Sequence, residues 1–499
     1  MANKSYLAVD MGASSGRHVI GRFDGTKIEL EEVYRFENGG VEMADGLFWD
    51  LPGQWTHLIN GFRAASKAVS KDGTSLTSVG VDTWGVDFAL LGKNDTLLAN
   101  PRHYRDARNN GVMERAIEKV GRDELFKHTG LQFLLFNSLY QLIAMREAES
   151  PLLDIAESML MMPDIFHWLM TGRKGNELTN ATTTQFYNPV EKRWATELFD
   201  AFDLPKNILG EIIQPGENLG PLRSRLVEAT GLTDVRVVAP GTHDTASAVA
   251  AVPTSSPFGA APDWCYVSLG TWALMGIESP HPVVTNDVLA RNFTNEGGVG
   301  GTTRLLKNIC GLWLVQQCRQ SWNRAGKNWD WEDLNRLSAE ATPLVSFIDP
   351  DAPDFLAPTD MPGAIRNYAE KTSQTVPTTE GAVLRAALES LAFKFRQVLA
   401  MCEDLAGRSI ETIHIVGGGT RNRQLCQMAA DCCGRRVVTG PVEATAIGNL
   451  MMQAVASGDL ADLPEAREVV RNSFEMIEYV PTNTTAWDDA YERFEKVTT

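Results

Sequence analysis

The chain has 499 residues, 43% of them hydrophobic, enough for two or three domains with cores of their own. Its net charge is −17 with Lys and Arg scattered, so no basic stripe marks a nucleic-acid surface. The opening MANKSY lacks an apolar signal region and no later stretch has about eighteen uninterrupted apolar residues, so a cytoplasmic protein without a membrane partner is expected.

Residues 5–17, SYLAVDMGASSGR, read as a buried strand (6–9) ending in Asp10 and opening into a small-residue turn. Such a turn presents backbone N–H groups and two hydroxyls to a polyphosphate, and Arg17 adds a cation. Residues 18–23 read as a returning strand and no GK[ST] follows, so the expectation is a β-hairpin and not a P-loop. An ordinary tight hairpin would have the same sequence. A helix is expected over 54–69.

TSVGVDTWGVDF (77–88) is a strand running into a glycine turn, with Asp82 and Asp87 around Trp84 and Gly85. Carboxylates pair with sugar hydroxyls and an indole face covers a sugar's C–H side; a buried Trp with turn acids is the alternative. HYRDARNN (103–110) offers Tyr104, Asp106 and Arg108 and reads equally as a solvated charged loop. Helices are expected over 111–119 and 138–148.

VAPGTHDTASAVAAV (238–252) sets His243 and Asp244 between a strand and an Ala-rich helix. A carboxylate there suits proton abstraction from a hydroxyl, or simply caps the helix. PTSSPFGAAPDW (253–264) is a Pro, Ser and Gly-rich boundary. CYVSLGTWALMGIES (265–279) then repeats the strand, turn, strand plan, so the chain reads as two related halves, with Gly270 to Trp272 at the second turn. Residues 310–325 are expected to be helical, and Asn308 and Gln316, about two turns apart, either point the same way or are incidental polar residues of a core helix, the reading that spacing alone favours.

Further helices are expected over 379–405, 423–433 and 444–457, and strands alternating with helices imply an α/β architecture. IHIVGGGTRNRQL (413–425) with Glu443 superficially fits a dinucleotide fingerprint. Asn422 stands where the third glycine belongs, and the glycines alternatively let an adenine or ribose lie against bare backbone. The seven cysteines lack metal spacing and read as reduced thiols, with Cys432 and Cys433 as core fillers.

Taken in order, DMGASSGR, VDTWGVDF, GTHDTASA, GTW, NICGLWLVQ and HIVGGG resemble the FGGY carbohydrate kinases through nearly the whole chain. PDIFHWLMTG (163–172) and RAALESLAF (385–393) resemble helix signatures of the two halves. The resemblance implies two ribonuclease H-like domains of the actin and sugar-kinase superfamily with an interdomain active-site cleft. The domains would be 1–250 for sugar and phosphate, 251–480 for nucleotide, and a tail over 481–499.

It further implies ATP and Mg2+, with Asp244 as the base that deprotonates O1 of a ketose. Ala13, Ser14, Ser15, Gly16 and Arg17 resemble the phosphate loop, and Thr271, Gln316 and Gly418 resemble ATP contacts. Gly85, His243, Thr245 and Asn308 resemble sugar contacts, and Asp10 a magnesium or phosphate-orienting acid acting through water. The implied ketose is L-rhamnulose or a close 6-deoxy relative such as L-fuculose, bound to a monomer or homodimer. Tyr104, where a Trp is usual, and ELTNATTT (177–184), where DxSxAS is usual, count against xylulose or glycerol. Two other readings remain: a non-enzymatic, actin-like nucleotide switch, and an NAD-dependent dehydrogenase resting on GGGTRN and Glu443.

Overall fold

A computed structural model describes residues 4–356 and 358–498. The chain divides into two compact units, neither of them continuous in sequence. The first comprises Met1–Ala260, Glu278–Leu305 and Ala444–Phe474, the second Ala261–Ile277, Leu306–Glu443 and Glu475–Thr499.

The first unit is built on six strands: β1 (Lys4–Met11), β2 (Ser15–Phe23), β3 (Ile28–Glu37), β4 (Leu76–Thr83), β5 (Asn218–Pro221) and β6 (Arg236–Val238). KSYLAVDM is an almost unbroken apolar run buried on both faces, which suits a central strand, and β1 sits inside the sheet order β5-β6-β4-β1-β2-β3. β1 and β2 pair antiparallel, so the opening segment is the expected hairpin, while β4 runs parallel to β1. Helix α1 (Leu51–Lys71) starts at Asp50, whose side chain accepts from Gly53 N. It buries Leu58, Phe62, Ala65 and Val69 along one stripe, in the core that holds Leu7 and Val9.

The other large sheet consists of β7 (Trp264–Leu269), β8 (Trp272–Ser279), β9 (Thr294–Gly297), β10 (Thr303–Cys310), β11 (Thr412–Val416), β12 (Arg436–Thr439) and β13 (Ile477–Tyr479). Its order is β9-β10-β8-β7-β11-β12-β13. The plan of the first sheet recurs: an antiparallel hairpin (β7, β8), two parallel neighbours (β11, β12) and an antiparallel edge (β13). This is the internal duplication that the two hairpin sequences suggest.

Helices α4 (Glu380–Ala406), α5 (Arg423–Cys433) and α6 (Ala444–Ala456) lie where periodicity places them. The helix expected over 310–325 is present but starts three residues late. Residues through Cys310 belong to β10, and α3 (Trp313–Arg324) begins only after Gly311. A Cβ on Gly311 would lie 2.5 Å from the Trp272 carbonyl carbon, so the chain turns while pressed against the 270–272 backbone. That turn also receives the first N–H groups of the helix: Leu312 N donates to Gly270 O (3.0 Å) and Trp313 N to Thr271 O (3.1 Å). Residues 103–110 are not a solvated loop either, since His103, Tyr104, Asp106 and Asn109 are buried. All seven cysteines are free and buried. No helix among the described residues is long and apolar enough to cross a membrane.

Candidate active site

Strand register assembles the first group of residues. Asp10 pairs with Arg17 across the hairpin and with Asp82 on the parallel strand, so Arg17, Asp10 and Asp82 form one row across β2, β1 and β4. Arg17 Nε lies 3.2 Å from Asp10 Oδ2. The row continues through a bridge between Thr83 and His243, with Thr83 N donating to Thr242 O at 2.9 Å. His243 thus ends the row, and Asp244 opens helix α2 (Asp244–Ala250).

Burial pushes the Asp10 carboxyl up; Arg17 pulls it back, and Asp244 adds repulsion. Burial and the Asp10 charge push Asp82 well above the carboxylate range, although Asn449 on α6 donates to Asp82 Oδ2 at 2.6 Å. Asp82 Oδ1 is buried and no N–H group reaches it. A buried oxygen short of donors beside a second buried carboxylate fits a divalent cation. Among the described residues no cluster of three or more His, Cys, Asp and Glu offers a full protein cage, so such a cation would keep mainly water and phosphate ligands.

Asp244 differs from these acids in being accessible: its side chain is 32% exposed. The N-cap of α2 is His243, and no side chain makes a cap hydrogen bond there, so capping does not account for Asp244. Thr245 Oγ1 donates to Asp244 Oδ1 at 3.2 Å and His243 Nε2 lies 3.5 Å from the same oxygen. A second buried acid fixes the approach to this corner. Glu177 accepts from Thr242 N (3.0 Å) and Thr242 Oγ1 (2.6 Å) and from Thr179 N (3.0 Å). Burial raises Glu177 to about 7. Sequence reasoning noted Glu177 only as part of an unusual segment.

Gly85 owes its identity to packing: a Cβ there would sit 2.9 Å from Thr183 Cγ2, and Thr183 Oγ1 accepts from Val86 N at 2.9 Å. Val86 has φ of 68°, a strained value for a β-branched residue. Trp84 is not an open sugar platform. It is buried, its ring centroid 3.9 Å from that of Trp49, and its Nε1 donates to Asp87 at 3.0 Å. Asp87 also receives Trp49 Nε1 (2.6 Å), Gln141 Nε2 (2.8 Å) and Tyr104 N (3.2 Å), while burial raises it to about 6.

The hairpin turn is held from outside by Asn38, which no motif points to. Asn38 Nδ2 donates to Gly12 O (2.8 Å), its N–H donates to Ser14 O (3.1 Å), and its Oδ1 accepts from Gln54 on α1 (2.9 Å). Ala13, Ser14 and Ser15 all retain solvent access, whereas Gly16 is buried against the Phe36 ring.

The second unit gathers the other group. Thr271 Oγ1 and Gln316 Oε1 are 3.2 Å apart, joined because α3 starts on the 270–272 turn. Gly417 and Gly419 pack against Leu269, at the end of the strand that leads into this turn. A Cβ on Gly418 would meet nothing within 4 Å, which leaves its backbone open to a flat ligand. Asn308 lies on β10, not on a helix face shared with Gln316, so the eight-residue spacing carries no meaning.

Comparison with known proteins identifies the family. The FGGY family of carbohydrate kinases matches the chain twice, with its N-terminal domain over residues 5–251 and its C-terminal domain over 265–457. A rhamnulokinase of Bacteroides thetaiotaomicron is 42% identical over 98% of this chain and 99% of its own. One from Halalkalibacterium halodurans is 40% identical over 95% and 98%. Among solved structures, gluconate kinase from Lactobacillus acidophilus matches with a TM-score of 0.82 at 15% identity, covering 99% of this chain and 98% of its own. Plasmodium falciparum glycerol kinase with ADP matches at 0.77 and 15%, with the same coverage. These two share the fold alone. The matches displace both the dehydrogenase reading of GGGTRN and the non-enzymatic switch. The chain belongs to the FGGY family of carbohydrate kinases, enzymes that transfer a phosphoryl group from ATP to a sugar.

Proposed function

We propose that this kinase phosphorylates O1 of L-rhamnulose, giving L-rhamnulose 1-phosphate and ADP, with Asp244 as general base. The observation that carries the mechanism is the placement of Asp244: an accessible carboxylate, not used as a cap, at the end of a row whose other acids are buried. The relatives named rhamnulokinase, 35–42% identical over nearly their whole length, support the choice of sugar.

Asp244 accepts the O1 proton as that oxygen attacks the γ-phosphorus, and the bond from phosphorus to the ADP oxygen breaks. Ala13, Ser14, Ser15, Gly16 and Arg17 hold the phosphates; Thr271, Gln316 and Gly418 hold the nucleoside end. Gly85, His243, Thr245 and Asn308 contact the ketose, with the Gly85 segment doing so through the backbone conformation that Thr183 enforces. Asp10 and Asp82 would hold a magnesium ion through water, and the ion would supply positive charge against the charge that develops in transfer.

A substrate panel tests the reading. ATP turnover with L-rhamnulose should exceed that with L-fuculose, L-xylulose and glycerol by at least about tenfold in kcat/KM. Preference for L-fuculose would reassign the sugar, and no turnover with any ketose would overturn the activity.

A further inference from the structure

We propose that Glu296 and Arg304 are positioning residues that fix the His243 ring for the ketose. The inference rests on the reading of His243 as a sugar contact. His243 Nδ1, Glu296 Oε2 and Arg304 NH2 stand 3.1 Å from one another in a closed triangle. Neither partner belongs to a motif. Glu296 lies on β9 and Arg304 on β10, and a hydrogen bond from Arg304 Nε to Gly297 O (2.9 Å) holds the two strands in this setting.

Both charged side chains are enclosed: Arg304 is 0% exposed and Glu296 7%. Burial of an ion pair away from water is expensive and contributes little stability, so the pair's position against a single histidine nitrogen is its informative feature. Burial pushes the Glu296 carboxyl up, but Arg304 and His243 more than offset this and keep it below its usual range. A guanidinium has only N–H groups to offer, so Arg304 NH2 donates to Nδ1, and Glu296 offsets the Arg304 charge. The ring proton then sits on Nε2, on the side where Asp244 Oδ1 lies 3.5 Å away. A fixed hydrogen-bond partner on one ring nitrogen sets the tautomer and orientation of the ring in this way.

The strand β9 is itself tied to the sugar side. Gly297 N donates to Thr182 Oγ1 at 2.7 Å, next to the Thr183 that shapes Gly85. His243 N in turn donates to Thr179 Oγ1 at 3.1 Å, so backbone and ring are held independently. Loss of Glu296 or Arg304 should therefore release the ring without moving Asp244.

A double-mutant cycle tests the proposal, with kcat and KM for L-rhamnulose and for ATP measured in wild type, Glu296→Gln, His243→Ala and the double variant. Glu296→Gln should raise the ketose KM about tenfold or more and leave the ATP KM within about twofold. In the His243→Ala background it should change kcat/KM by less than about twofold, because the residue it acts through is gone. Equal losses in both backgrounds, or ketose and ATP KM rising together, would overturn the positioning role. Arg304→Lys supplies the same cycle should Glu296→Gln fail to fold, with the same expected coupling and the same contradicting result. His243→Ala without effect on the ketose KM would instead remove the sugar-contact reading on which the proposal stands.

Discussion

Glu177 carries a pH signature that can be measured on the folded protein. Burial raises its carboxyl from 4.5 to about 7, so the folded state holds the proton more tightly than the unfolded chain does. Its contribution to stability is complete below about pH 4.5 and is lost as pH rises through 7. A shift of this size corresponds to about 3 kcal/mol. The unfolding midpoint of the wild type should therefore fall between pH 4.5 and 7 relative to that of Glu177→Gln, which cannot titrate. Parallel midpoint profiles for the two proteins would refute the assignment. Positions at strand or helix ends, such as Asp10, Arg17 and Asp244, are legible in the sequence, because the residues around them mark those ends. Glu296, Arg304 and Asn38 are not, because each acts across a fold contact that no short motif contains.

The hairpin turn after β1 is braced by one residue, through its side chain and its backbone. Asn38 bonds both Gly12 O and Ser14 O, and α1 holds Asn38 in turn through Gln54. Asn38→Ala removes the side-chain half of this bracing from the segment proposed to hold phosphates. It should raise the ATP KM several-fold, roughly the cost of a hydrogen bond of about 1 kcal/mol, and leave the ketose KM unchanged. An unchanged ATP KM in steady-state kinetics would detach the hairpin from the nucleotide. Helices α4 to α6 were legible from their apolar period, whereas residues 303–310 were not. TRLLKNIC is a mostly buried strand, and a short apolar run of that kind has no period that separates it from a helix. Gly311, where the change occurs, is needed for a contact with Trp272 that only the fold reveals.

At the scale of the molecule, the six-stranded order of the first sheet recurs in the second, which adds β9 at one edge, although the hairpins share few residues. Pattern rather than identity preserves such a fold, as the TM-score of 0.82 at 15% identity illustrates. The ordered motifs made the architecture readable from sequence; the interleaving of the compact units was not, since residues 278–305 and 444–474 join the first unit from beyond the boundary near 250. The account as a whole stands on a single transfer, from ATP to O1 of the ketose with the proton going to Asp244. The direct measurement is 31P NMR of wild type and Asp244→Asn with ATP, Mg2+ and L-rhamnulose. The wild type should produce the 1-phosphate and ADP in equal amounts, while Asp244→Asn, with an unchanged unfolding midpoint, should be slower by about 10²- to 10⁴-fold. Phosphate on another oxygen, no sugar phosphate at all, or undiminished turnover by Asp244→Asn would contradict it.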